Sequence, residues 1–273
     1  MDWEMVEGNY DYSRYSGLLL NKRDGVMTIT LSNPGRRNAT TPVISNELTT
    51  IWDDVWQDDE VKVIILQGEG KDFCAGADTN RLAKQGDVPS PLFGMTRKAK
   101  KHAMSIIDCE KPVIAKVRGH AYGVGLTLAL AADLVYASED ARFCDPHVKL
   151  GMVAGDGGVL LWPAMGAFRR AKEALLLGEA ISAADAMELG LINRVLPDDQ
   201  LDEHVASIAR RLCDMPSHAV NYTKVSLNVA LKQMTGAAFE TSIAYQAYSM
   251  KMGDFKEATK AFAEKRKGNF EGK

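Results

Sequence analysis

Apolar and polar positions along the chain change period several times. Residues 17–31 (GLLLNKRDGVMTITL) hold two β-rich runs separated by Asp24-Gly25, a pair that tolerates the positive φ angles of a tight hairpin turn. A helical stretch is expected over 44–56, followed by VKVIILQ at 61–67, a continuous apolar run of the kind that forms a strand buried on both faces. Residues 112–117 (PVIAKV) and 134–137 (LVYA) repeat that pattern, and 92–107 and 126–132 between them suit helices. Strand alternating with helix predicts right-handed crossovers around a mostly parallel sheet.

Beyond about residue 160 only 191–195 reads as a strand. Residues 201–213, 219–231, 239–250 and 255–267 each read as an amphipathic helix, so the C-terminal part is expected to be a helical layer or lid. The boundary falls near residue 200, with a core over 1–200 and a helical region over 201–273. Residues 84–91 (KQGDVPSP) are rich in turn formers and make the best candidate for a mobile loop.

Composition narrows the class. The 273 residues carry 33 Lys and Arg against 36 Asp and Glu, a formal charge of -3, with 46% hydrophobic residues. Such a balance gives no footprint for bulk nucleic-acid binding and favours small-molecule chemistry. Cys74, Cys109, Cys144 and Cys213 stand apart with no metal-ligand spacing, so neither structural zinc nor a disulfide framework is expected. The opening MDWEMVEGNYDY lacks the basic start and apolar core of a signal peptide, and no run of eighteen apolar residues occurs. The expectation is a reduced, cytoplasmic enzyme without a membrane partner.

Two glycine-rich turns are candidates for chemistry: Phe73-Cys74-Ala75-Gly76-Ala77-Asp78 and Gly119-His120-Ala121-Tyr122-Gly123-Val124-Gly125. Small residues let backbone amides approach a ligand, and a helix N-terminus adds unpaired N–H groups. Two such turns on neighbouring strands could aim two amides at one oxygen, the requirement for an oxyanion hole. On spacing alone the plainer reading leads: both are strand-to-helix connections in which glycine relieves crowding. Neither the spacing of a dinucleotide fingerprint nor a Walker A loop is present.

FCAGAD, KPVIAKVRGHAYGVGLTLALAADLVYASEDARF, the LG-x₃-GDGG segment, AxxxGLINRV and FAEKRKGNF, in that order, resemble the crotonase (enoyl-CoA hydratase/isomerase) superfamily from about residue 17 to the C-terminus. The resemblance implies an α/β fold with a ββα spiral core and a helical C-terminal region that serves trimerisation or as a lid. It also implies homotrimers or dimers of trimers, and acyl-CoA substrates in which coenzyme A belongs to the substrate, with no permanently bound cofactor. It puts the oxyanion donors on the backbone N–H groups of Ala77 and Val124. Substrate and coenzyme A contacts are expected at Arg37, Ala39, Ala75, Gly76, Asp78, Gly123, Thr127 and Lys265, the last reaching the nucleotide end.

The catalytic side chains depart from that pattern. The two glutamates of hydratases in this family fall on Thr127 and His147, neither a carboxylate. What remains is His147 with Asp156 nine residues on; a turn at Gly155–Gly158 would let Asp156 orient the ring while His147 acts as general base on water. This spacing, followed by Trp162-Pro163, resembles the β-diketone hydrolase branch typified by 6-oxocamphor hydrolase, although the C-terminal carboxylate expected of that branch falls on Gln246. The first expectation is a hydratase/isomerase-like enzyme working through an oxyanion-stabilised enolate. The alternatives are a retro-Claisen C–C hydrolase of a cyclic β-diketone, an aspartate nucleophile at Asp156, or a non-catalytic acyl-CoA- or RNA-binding relative. His120 is a spare candidate; His102, His204 and His218 lie in helical patterns and are assigned no role.

Overall fold

The computed structural model describes residues 10–78 and 92–272; the turn-rich segment 84–91 lies outside them. Strands β1 (Leu18–Arg23) and β2 (Val26–Leu31) form the expected antiparallel hairpin, with Leu18 opposite Leu31 and Arg23 opposite Val26. Asp24 and Gly25 turn the chain at φ 52° and 79°, the pair of left-handed residues that a two-residue hairpin requires.

The single helix expected over 44–56 is two, α1 (Pro42–Glu47) and α2 (Ile51–Gln57). At the break Thr49 and Thr50 turn their hydroxyls back onto the carbonyls of Asn46 and Glu47, a local competition with helix continuation. β3 (Val63–Gly68), α3 (Leu92–Asp108) and β4 (Val113–Val117) follow, then the short β5 (His120–Tyr122) inside the second glycine turn and α4 (Val124–Ala131). Next come β6 (Leu134–Ser138), β7 (Arg142–Cys144), a 3₁₀ turn at His147–Leu150, α5 (Gly158–Met165) and α6 (Phe168–Leu177). β8 (Ile181–Ser182), α7 (Ala183–Glu188) and β9 (Arg194–Leu196) close the sheet region.

The main sheet has the order β1-β2-β3-β4-β6-β9, parallel at every step after the hairpin, and β5, β7 and β8 form a second, smaller sheet. The apolar run at 63–66 has two cores to serve. Val63 joins Ile114, Tyr136, Leu201, Val205 and Ala209 on one face, while Ile64 and Leu66 enter the larger core with Trp52, Phe73 and Trp162 on the other. The cover on the first face is α8 (Asp198–Cys213), which packs across β3, β4 and β6.

Sequence patterning divides 219–250 into two helices, whereas the structure has one, α9 (Ser217–Ser249), which packs on both α3 and α5. Gly236 lies inside it with open space around it, so the helix continues through a weak former that no neighbour strains. The last helix, α10 (Gly253–Ala263), ends before Lys265, which takes a left-handed φ of 53°. Among the described residues no helix is long and apolar enough to cross a membrane.

Candidate active site

The two glycine turns lie side by side. Cys74 and Ala121 form an isolated parallel bridge in which the Cys74 N–H donates to the His120 carbonyl at 2.8 Å and the Tyr122 N–H to the Cys74 carbonyl at 2.9 Å. Only glycine fits this lacing at two points. A Cβ on Gly125 would stand 2.2 Å from the Cys74 carbonyl oxygen, and Gly76 sits at φ 96° with the Tyr122 oxygen 3.0 Å from the place a Cβ would take.

Thr40 pairs with Ala77, its N–H donating to the Gly76 carbonyl at 2.8 Å, a pairing that leaves the Ala77 N–H over. Val124 opens α4 behind Gly123, so its N–H has no intrahelical acceptor. Neither N–H is engaged by any acceptor among the described residues, and both residues line one cavity of about 200 Å³. Two residues with unengaged amides, one from each turn, therefore line a common space, with Val124 at the positively polarised end of α4.

His147 lines the same cavity at the start of the 3₁₀ turn, where Asp145 holds it twice: the carboxylate accepts from the His147 backbone N–H at 3.2 Å and from Nδ1 of the ring. The other ring nitrogen, Nε2, lies 3.5 Å from Oδ2 of Asp156. Burial disfavours a charged imidazole here, but the two flanking carboxylates outweigh it and raise the His147 pKa well above its ordinary value of 6.5. Burial likewise works against a charged Asp156; the His147 cation and its hydrogen bond more than compensate, holding this carboxyl below its usual 3.8. Both shifts favour an imidazolium beside a carboxylate, and they come from two acidic neighbours of the ring where the sequence pointed to Asp156 alone.

Glycines build this pair. A Cβ on Gly155 would strike the Ser242 carbonyl of α9 at 2.4 Å, one on Gly157 the Thr127 side chain at 2.5 Å, and one on Gly158 the Asp145 carboxylate at 1.9 Å. The GDGG segment is wedged between α9, α4 and the Asp145 loop, and each close approach locates the one side chain it carries, Asp156. Oδ1 of Asp156 is buried without a hydrogen-bond partner among the described residues.

Of the residues singled out from sequence, Ala75, Gly76, Ala77, Asp78, Gly123, Val124, His147 and Asp156 line the cavity together. Thr127 is not among the described lining residues; it is buried behind the cavity against Gly157, because α4 turns that face into the core. Ala39 is buried beside the cavity-lining Thr40 rather than lining it. Arg37 is exposed and meets Nε2 of His120 at 3.2 Å, while Nδ1 of that ring lies 2.6 Å from Asp72. His120 is thereby engaged outside the cavity, and Lys265 is exposed beyond α10.

Three lining or supporting residues escape a reading by motif: Asp145, His102 and Gln246 in a binding role. Asp145 has a local signal, the Asp-x-His spacing that lets a carboxylate reach both the backbone and the ring two residues on. His102 has none and Gln246 only the resemblance that put a branch carboxylate at its position, since they arrive on α3 and α9 from distant parts of the chain. Donor atoms of Asp145, His147 and Asp156 lie within 4.8 Å of one another, a spacing that would also suit a cation. Here the imidazole stands between the carboxylates with one ring nitrogen toward each, while Oδ2 of Asp145 and Oδ1 of Asp156 have no hydrogen-bond partner among the described residues.

The family model for enoyl-CoA hydratase/isomerase matches residues 21–273. The chain is similar to 1,2-epoxyphenylacetyl-CoA isomerase of Escherichia coli, with 33% identity covering 94% of this chain and 98% of that protein. It is similar to short-chain-enoyl-CoA hydratase of Clostridium acetobutylicum at 31% identity, covering 92% and 96%. Among solved structures, an enoyl-CoA hydratase/isomerase from Mycobacterium paratuberculosis superposes with a TM-score of 0.85 at 30% identity, over 89% of this chain and 97% of that one.

Proposed function

The chain belongs to the enoyl-CoA hydratase/isomerase family and has its crotonase fold, and from that premise we propose that it adds water across the double bond of an enoyl-CoA thioester through an oxyanion-stabilised enolate. The observation that carries this reading is the pair of unengaged N–H groups of Ala77 and Val124, two residues that line the cavity also lined by His147 and Asp156.

The thioester carbonyl oxygen accepts from both amides. Free Oδ1 of Asp156 takes a proton from water as the water oxygen bonds to the β-carbon, and electrons move through the former double bond into an enolate whose charge the amides meet. His147 gives its Nε2 proton to the α-carbon. Water is thereby added whole, leaving a protonated Asp156 beside a neutral His147. Transfer of that proton across their 3.5 Å contact restores the starting pair. The same groups, used without water, would move a double bond along the acyl chain.

Arg37 and Lys265 supply cations for the coenzyme A phosphates in this reading, and the helices after residue 200 supply the trimer contacts. Turnover of enoyl-CoA esters of graded length, followed by loss of the conjugated thioester absorbance in wild type and Asp156→Asn, tests it. No turnover of any ester, with Asp156-dependent cleavage of a cyclic 1,3-diketone to a keto acid, would replace it by the C–C hydrolase. Tight acyl-CoA binding without product would replace it by a non-catalytic binder.

A further inference from the structure

Arg37 joins an exposed charge, which meets no carboxylate among the described residues, to a tightly fixed backbone. Its φ of 49° and the 56° of Asn38 are left-handed in two consecutive residues that are not glycine, a conformation that persists only where neighbours over-determine it. The buried Asn38 does so. Its Oδ1 accepts from the Asn33 N–H at 3.1 Å, and its Nδ2 donates to the carbonyls of Glu69 at 2.9 Å and Asp72 at 2.7 Å. The Arg37 carbonyl takes the N–H of Ala75, a cavity residue, at 2.9 Å, which fastens the turn beside the site.

The side chain is held as well. A guanidinium can only donate, so Nη1 of Arg37, 3.2 Å from Nε2 of His120, requires a lone pair there and leaves the ring proton on Nδ1. Oδ1 of Asp72 accepts from that Nδ1 at 2.6 Å and from the His120 backbone N–H at 3.2 Å. Tyr122 packs against the ring edge-on, 5.0 Å between centroids. Asp72, His120 and Arg37 thus form a chain in which the carboxylate sets the tautomer and the ring sets the guanidinium.

The other guanidinium N–H groups of Arg37 have no acceptor among the described residues. An arginine free in solvent loses rotamer freedom when it grips a ligand, and one already held loses less. A cavity of about 200 Å³ leaves the nucleotide end of a coenzyme A thioester outside it. We infer that His120 is a positioning residue, which holds the Arg37 guanidinium in place for a phosphate of that end. The inference rests on the thioester reading for its ligand, and it gives work to a histidine that the proton transfers do not use.

Binding of saturated esters tests this without turnover. Affinities of butyryl-CoA and butyryl-pantetheine, which lacks the nucleotide and all the phosphates, are measured for wild type, His120→Phe, His120→Gln, Arg37→Gln and the double variant His120→Phe/Arg37→Gln. His120→Phe keeps a ring against Tyr122 and removes the acceptor; His120→Gln returns an acceptor near the Nε2 position. His120→Phe should weaken butyryl-CoA about fivefold, the cost of ordering one long side chain on binding. The loss should be absent with butyryl-pantetheine, and His120→Gln should recover most of it. In the double variant the loss should equal that of Arg37→Gln alone, because His120 acts through Arg37. Equal weakening of the two esters by His120→Phe, an unchanged butyryl-CoA affinity in His120→Phe or Arg37→Gln, or additive losses in the double variant would overturn the positioning role and leave the thioester reading intact. Failure of both esters to bind wild type would overturn both.

Discussion

Nε2 of His147 lies 3.5 Å from Oδ2 of Asp156, although they stand nine positions apart along the chain with Gly151 and Gly155 between them. The contact joins a cation to an anion inside a largely buried site, so each partner holds the other in its charged state. Asp145, on the far side of the ring, fixes which nitrogen faces Asp156.

Replacing Asp156 by Asn should lower kcat by about 10²- to 10⁴-fold, the range for loss of a positioned proton carrier. It should also lower the His147 pKa, because one of the two carboxylates that raise it is gone. Ring-proton NMR titration of His147 in wild type and variant checks the second effect independently of turnover; an unchanged midpoint would mean that the two charges do not interact.

The pH dependence has a definite sign. His147 has a raised pKa in the folded chain, so its contribution to stability is complete below about 6.5, its unfolded value, and is lost as pH climbs through the higher folded pKa. Asp156 has a lowered one, so its contribution is present above about 3.8 and is lost as pH falls through the still lower folded value. Activity should hold across neutral pH and fall on the alkaline side as His147 loses its proton. In Asp145→Asn that alkaline limb should move to lower pH; a limb that stays in place would assign it to another group.

Gly158→Ala should destabilise the fold by about 1–3 kcal/mol, the usual cost of overpacking, because the new Cβ would stand 1.9 Å from the Asp145 carboxylate. Denaturant midpoints measure the stability. Turnover should drop in parallel, since whatever displaces Asp145 releases the ring it holds.

Val124→Pro removes one oxyanion N–H at the first position of a helix, where proline is tolerated. Turnover should fall by about 10²- to 10³-fold, the effect of deleting one such donor, with little change in Tm. Val124→Gly keeps the amide and should keep most of the activity. A Val124→Pro enzyme that folds and turns over normally would remove the oxyanion role from α4.

Much of the fold could be read along the chain because its causes are local. The Asp24-Gly25 turn, the doubly buried runs of β3, β4 and β6, and the helical character beyond residue 200 each declare themselves within a few residues. Boundaries that depend on neighbours were less legible. Residues 44–56 break because two threonines cap backward, and 217–249 run unbroken because α3 and α5 support one long helix. Ala77, Val124, His147 and Asp156 were visible as motif positions, but Thr127 was misread as a cavity residue, since which face of α4 turns inward is settled by packing on Gly157.

Periodicity and turn chemistry act over a turn or two of backbone, so the chain alone determined the order of the main-sheet strands, the two glycine turns and the presence of a histidine and an aspartate in place of paired glutamates. The tertiary structure decided the protonation of that pair and its companions. The approach of Asp145 and Asp156 outweighs burial and raises the His147 pKa, and α3 and α9 bring His102 and Gln246 to the same cavity from residues remote in sequence. Electrostatic energy depends on distance and desolvation in space, and neither quantity exists until the chain has packed.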